Sequence, residues 1–395
     1  MSSGDERGRP GGKPGPSGRE SASGPSPGTT APGTPPTSPG ESAHRREAAT
    51  APERVEASAA APAQASPRVS FAAVKAPSLS LPQGGGALRS IGESFQANPV
   101  TGTLSASIPL PLSESPHGPT PSLALAYDSG SGNGAFGQGW SVAIPQIVRR
   151  TDRGLPRYRD REDSDELLFG GEVLVPVFDG DTRHVDSTTS SSHTIERYRP
   201  RAEQSHASIE RWTNKTTREV HWQVRDASNT LSRFGSTAGS RIAVPGHPSR
   251  VYAWLLDTVT DDRGHVAEYL YEEEDLVGLP VRPSESGRKR GLAPIANKHL
   301  KELRYGNSTP GDAASYRFQV VFDYGDHDPE APTPTPSQPW PCRQDPFSSH
   351  RAGFDQRCYR LCRRVLVFHR FAELPPNSTT DAPVLVRALE LSYAE

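Results

Sequence analysis

Four stretches of this chain carry residue types that could do chemistry. Glu272-Glu273-Glu274 offers paired carboxylates, the Glu-x-Glu spelling found in enzymes that transfer ADP-ribose. Cys358 and Cys362, with Cys342, His350 and His369 near in sequence, offer soft ligands for a metal. Asp128-Ser129-Gly130-Ser131-Gly132-Asn133 offers oxygens for calcium. Gly132-Asn133-Gly134-Ala135-Phe136-Gly137 has the spelling of a dinucleotide fingerprint.

Each must be weighed against the element that positions it. A dinucleotide loop needs a following helix whose N-terminus faces the pyrophosphate. Here Gly139-Trp140-Ser141-Val142-Ala143-Ile144 follows, which reads as a strand. Calcium wants six to eight oxygens, and only Asp128 supplies a certain carboxylate, so a hairpin turn capped by Asp and Asn is expected. Structural zinc shows paired ligands at tight spacing. On one strand Cys358 and Cys362 would stand about 13 Å apart, too far for one ion, so they are expected to be partly buried free thiols. Glu272 to Asp275 ends a strand pattern and reads as a solvated acidic turn. No His-Glu-x-x-His pair or Walker loop occurs. The sequence therefore assigns no catalytic, cofactor-binding or metal-binding residue, no cofactor, and no enzyme.

The elements themselves are predicted to be strands. Leu104, Ala106, Ile108 and Leu110 alternate, as do Leu123, Leu125 and Tyr127, and then Trp140, Val142 and Ile144. Alternation puts one set of side chains on a buried face. Leu167-Leu168-Phe169 and Val173-Leu174-Val175 flank Gly170-Gly171, the pattern of a tight hairpin. Val220, Trp222 and Val224 alternate, as do Tyr252, Trp254 and Leu256. Asp261-Asp262-Arg263-Gly264-His265 makes a turn, and Tyr269 and Tyr271 return. That hairpin has a local likeness to tyrosine-aspartate (Rhs) repeats. Gly278 to Gly291 is a basic, proline-rich solvated loop with Arg288-Lys289-Arg290. Asn297 to Leu303 is expected to form a short helix. Tyr316, Phe318, Val320 and Phe322 alternate again, Asp328 to Pro346 is a surface loop, and Arg363–Phe368 and Val384–Tyr393 close with strand patterns.

Composition sets the outer limits. The 395 residues include 40 prolines and 36 glycines, and only 33% are apolar. A net charge of −2 gives no electrostatic case for nucleic acid or an anionic membrane. No apolar run reaches the ~20 residues needed to span a bilayer. Three cysteines cannot all pair. Residues 1–76 are Pro, Gly, Ser, Thr and Ala with scattered charge, and no aromatic precedes Phe71. Such a segment buries too little apolar surface to offset its ordering entropy and is expected to be disordered. Residues 77–395 are expected to form one mainly β domain of antiparallel strands and long loops. Trp140, Trp212, Trp222, Trp254, Tyr269, Tyr271 and Phe322 are its expected packing residues.

Ordered blocks along the chain resemble a known family. Leu81-Pro82-Gln83-Gly84-Gly85-Gly86, Asn98-Pro99-Val100-Thr101-Gly102, Tyr127-Asp128-Ser129-Gly130 and Gly137-Gln138-Gly139-Trp140-Ser141 come first. Ser249-Arg250-Val251-Tyr252-Ala253-Trp254, Val321-Phe322-Asp323-Tyr324-Gly325-Asp326 and Asp345-Pro346-Phe347-Ser348-Ser349-His350 follow. Together they resemble the amino-terminal domain of the Salmonella virulence plasmid protein B family, which also opens the B component of insecticidal toxin complexes. The resemblance implies the first part of a larger β shell. It implies a structural role in a secreted toxin, where B and C-type (Rhs) components enclose a toxic piece and pass it to an A-type channel. The place of action would be extracellular, reached without a recognisable signal peptide. Some family members carry a carboxy-terminal ADP-ribosyltransferase domain, which is expected to be absent here. A glycan-binding β surface and an incomplete fragment of a longer Rhs or toxin protein are the alternative expectations.

Overall fold

The computed structural model describes residues 102–202, 206–374 and 382–393, with the backbone of one further strand, Ser94–Ala97. The expected disordered head, 1–76, lies outside these residues. The described part is mainly β, as the alternating patterns predict.

Its centre is one long strand, His247–Thr260. The middle of this strand pairs with Gln146–Arg149, placing Trp254 opposite Ile147. Its second half pairs with Leu231–Phe234, placing Thr260 opposite Leu231. Between those two partners runs an unbroken antiparallel path. It passes through Leu167–Phe169, Glu172–Pro176, His193–Pro200, Ser208–Asn214 and Val220–Arg225. The path leaves the long strand and returns to it, so eight strands close into a barrel. Closure removes the open edges that an eight-stranded sheet would otherwise show.

The barrel is filled by the alternating residues of its strands. Ile147, Ile209, Trp222, Phe234 and Trp254 are all at most 1% exposed. Trp222 packs edge-on against Trp254 at 6.0 Å and against Tyr198 at 5.0 Å. The Trp254 indole N–H donates to the Val220 carbonyl at 2.8 Å, so its polar edge is satisfied inside the core. Two glycine sites are dictated by geometry. Gly170 and Gly171 both have positive φ, +58° and +86°, which a two-residue hairpin loop requires. Gly235 sits over Trp254, where a Cβ would lie 2.3 Å from the indole ring.

Beyond Thr258 the long strand also pairs with Val266–Glu273, and a second sheet fans out from there. It continues through Lys298–Asn307, Tyr316–Asp323, Arg364–His369 and Val384–Glu390. Asn297 to Leu303 is therefore strand and not the expected helix. Its helix-forming residues Lys298, Leu300 and Glu302 all pair with Val266–Glu273, Glu302 and Leu303 pair on the other side as well, and tertiary pairing overrides local preference. A smaller sheet of Ser94–Ala97, Leu104–Pro109, Ala124–Asp128 and Trp140–Val142 shares the same core. Phe136 from this region meets Phe322 edge-on at 6.1 Å. One apolar cluster thus runs from Leu125 and Phe136 through Phe322 to Trp222. Of the expected packing residues, Trp222, Trp254, Tyr269 and Phe322 are buried, while Trp140, Trp212 and Tyr271 are only partly so.

Truncating Trp222 removes a ring fully enclosed by the barrel. Trp222→Ala is expected to cost about 3–5 kcal/mol, read as a lowered denaturation midpoint with an unchanged slope.

Candidate functional site

The structure moves Glu274 out of the solvated turn where the sequence places it. Glu272 and Glu273 are exposed, but the Glu274 side chain has no exposed surface. Strand Val266–Glu273 ends just before it, and the chain turns inward. Its partner is Arg360, equally buried, 86 positions away. Arg360 Nε donates to Glu274 Oε1 at 2.9 Å, and another guanidinium nitrogen to the Trp340 carbonyl at 2.7 Å. The third donates to the Val277 carbonyl at 3.0 Å and to the Asp275 carboxylate. The same guanidinium lies 4.4 Å from the centre of the Trp340 ring. One side chain thereby ties three separate segments together.

Glu274 is fully satisfied. Its Oε1 also accepts the Asp275 N–H, and its Oε2 accepts the Tyr359 N–H at 2.7 Å and shares a bond with His299 at 2.9 Å. Burial alone would raise its pKa. The His299 hydrogen bond, the Tyr359 N–H and the Arg360 charge outweigh burial and hold it below the ordinary carboxylate range. Cys358 brings its sulfur to this group: ligand atoms of Glu274, His299 and Cys358 lie within 4.8 Å of one another. Cys362, the expected neighbour of Cys358, is not part of it. Both thiols are free and buried more fully than expected. Burial pushes the Cys358 thiol up to about 11, which keeps it protonated and unreactive at neutral pH. A carboxylate already accepting four donors has little left for a metal, so the arrangement is that of a structural knot.

A second ionic group extends the knot. Glu285 accepts from Arg288, Arg357 and the Tyr359 hydroxyl, and Asp355 accepts from Arg288. Arg288 therefore clamps the loop where the sequence reads only a solvated basic run.

The barrel carries its own charged lining. Arg149 bridges Asp165 and Asp160, Arg211 bridges Asp160 and Glu196, and Arg183 bridges Glu196 and Asp163. The Arg149 guanidinium also sits between the rings of Tyr158 and Trp254. The three arginines and Asp160, Asp163 and Asp165, with Leu174, Tyr198 and Trp254, line a cavity of about 270 Å³. Sequence reasoning missed it, because its charges come from stretches scattered between Arg149 and Arg211.

The other candidates resolve simply. Asp128 Oδ1 accepts the Gly130 N–H at 2.7 Å, the turn cap expected there. Asn133–Gly134 and Gly137–Gln138 form a minimal hairpin, followed by strand Trp140–Val142 where a nucleotide loop needs a helix. Ser113 Oγ and His369 Nε2 lie 2.7 Å apart across 256 positions, a pairing no local motif could announce. The ring neighbours of that imidazole are Phe318 and Phe371. On a barrel face, Trp212, His193 and His221 pack against one another.

The family model described as Salmonella virulence plasmid 65kDa B protein matches residues 98–371. The chain belongs to the SpvB family. It is 37% identical over 337 residues to the "Mono(ADP-ribosyl)transferase SpvB" of Salmonella typhimurium strain 14028s, covering 80% of this chain and 54% of that protein. The protein of the same name from Salmonella dublin matches equally, so the chain spans about half the length of these relatives. A solved amino-terminal domain of the effector SpvB from Salmonella typhimurium strain LT2 superposes with a TM-score of 0.63 at 33% identity. That match covers 73% of this chain and 98% of the solved one. The crystal structure of TcdB2-TccC3 matches with a TM-score of 0.68 at 33% identity, over 80% of this chain and 16% of that chain. These names correct one expectation. The sequence reading assigns no enzyme, whereas the SpvB relatives are named as mono(ADP-ribosyl)transferases.

Two measurements probe the chemistry of this SpvB-family chain. Arg360→Met strands the Glu274 carboxylate in the core and is expected to cost about 3–5 kcal/mol. Arg360→Met with Glu274→Gln should recover part of that loss in the same denaturation assay. His221 is the second probe: burial, and then the neighbouring His193, lower it to about 4. The unfolded chain takes up this proton near pH 6.5, before the folded one does. Stability should therefore fall as pH drops from about 6.5 to about 4, and His221→Gln should flatten that slope.

Proposed function

We propose that this chain is the β framework of an SpvB-class virulence toxin, and that the framework packages and delivers the toxic part of its assembly. The observation that carries this reading is the closed barrel fused to an open sheet. That arrangement is shared with a solved SpvB amino-terminal domain over nearly all of the latter's length. Likeness to the TcdB2-TccC3 structure supports a toxin-complex setting. By that likeness the partners are a C-type (Rhs) component and an A-type channel component, and the place of action is outside the producing cell. Shell-building suits the residues described above. Their aromatic and ionic side chains face one another and lock the wall, as a container needs.

The transferase name of the relatives supports a further part of the reading. The toxin to which this framework belongs transfers ADP-ribose from NAD to a protein acceptor.

Co-expression with a C-type component from the same genome tests the packaging role. The two are expected to elute as one species, and separate elution would refute the proposal. Incubating the toxin with labelled NAD and host-cell extract tests the transfer, with label on a protein band as the expected result.

A further inference from the structure

The loop between strands Val266–Glu273 and Lys298–Asn307 is held far more firmly than its composition suggests. Leu279 is buried at its base, and the Gly278 backbone lies against Trp340. Glu285 and Arg288 anchor its middle to Arg357, Tyr359 and Asp355. Lys289 Nζ reaches back to the Leu279 carbonyl at 3.0 Å, and Leu292 N–H closes onto the Gly287 carbonyl at 2.9 Å.

What this mount presents to water is unusual. Val281 is 92% exposed and Leu292 75%, the two most exposed large hydrophobic side chains among the described residues. Val277, on the same loop, is also exposed. Single exposed aliphatics are ordinary, but a rigid loop that holds several outward needs a use for them. The exposed charges beside them in sequence are basic. Arg282, Lys289 and Arg290 are exposed, and the only acid in residues 276–294 is Glu285, which is buried and paired.

We propose that this loop docks on an anionic phospholipid surface, with Val281 and Leu292 entering the interface and Arg282 and Arg290 facing the headgroups. Short aliphatic tips separated by proline and glycine suit a bilayer, which needs no matching pocket. A protein interface would instead favour a contiguous patch with a buried anchor. Apolar insertion and basic attraction are each weak alone, and together they give usable, reversible binding. The attraction is local to the loop, so the near-neutral charge of the whole chain does not oppose it. This inference is independent of the packaging role.

The test is co-sedimentation of the full chain with vesicles of phosphatidylcholine alone or mixed with phosphatidylserine. Sedimentation is expected with the mixed vesicles only, and it should weaken as salt is raised. Val281→Asp and Leu292→Asp change solvent-facing residues, so the fold should survive, as circular dichroism can verify. Each should weaken binding roughly tenfold, and Arg282→Gln with Arg290→Gln should reduce the salt dependence. No sedimentation with mixed vesicles would overturn the proposal. Equal sedimentation with both lipids, or binding unchanged in the double aspartate variant, would overturn it as well.

Discussion

Everything in this molecule depends on one strand being shared. His247–Thr260 closes the barrel by pairing with Gln146–Arg149 and with Leu231–Phe234, and its last residues also pair with the open sheet. Fourteen residues are long enough to serve both. The shared strand explains why the apolar core is continuous from barrel to sheet, with Trp254 and Leu256 on the barrel side and Tyr269 and Phe322 beyond. It also explains why the charged groups collect where they do. Once the strands are full of aromatic and aliphatic residues, ionisable side chains are left at the barrel lining and at the loops of the sheet. There they must pair, because a lone charge at those depths is costly.

The two ionic groups do different work. In the barrel lining, arginines and acids alternate along a chain from Asp165 to Asp163, each charge meeting its opposite. Around Arg360 the pattern is a hub. One guanidinium gathers carbonyls and carboxylates from segments that have no strand pairing with one another. Arginine suits this because its planar fork offers several fixed donors at once, which lysine does not. The loops around Trp340 and Cys358 are irregular in backbone yet fixed in position for that reason.

Much of the fold is legible in the sequence, and the limits have a physical cause. Hairpins announced by Gly170-Gly171 and by Asp261 to Gly264 are local, so turn chemistry reveals them. Alternation reveals the strands around Trp222 and Trp254. Barrel closure is not local: Ile147 meets Trp254, and no short window contains both. The sequence places Glu274 in a solvated turn for a related reason. Its neighbours Glu272 and Glu273 are exposed, and nothing within the acidic run distinguishes the third residue. The distinguishing partner, Arg360, lies 86 positions on. Lys298 to Leu303 reads as helix because its residues favour helix, and only the strands on either side make it otherwise.

The shared strand also bears on how the chain comes into being. A ribosome releases Gln146–Arg149 long before His247–Thr260, and the strands between can line up only into a sheet with two open rims. Such rims invite pairing with other chains. The cylinder can shut only after about a hundred further residues have emerged, and contacts so distant in sequence form slowly. During synthesis, the interval before Thr260 emerges is therefore when the nascent polypeptide is most exposed to misassembly.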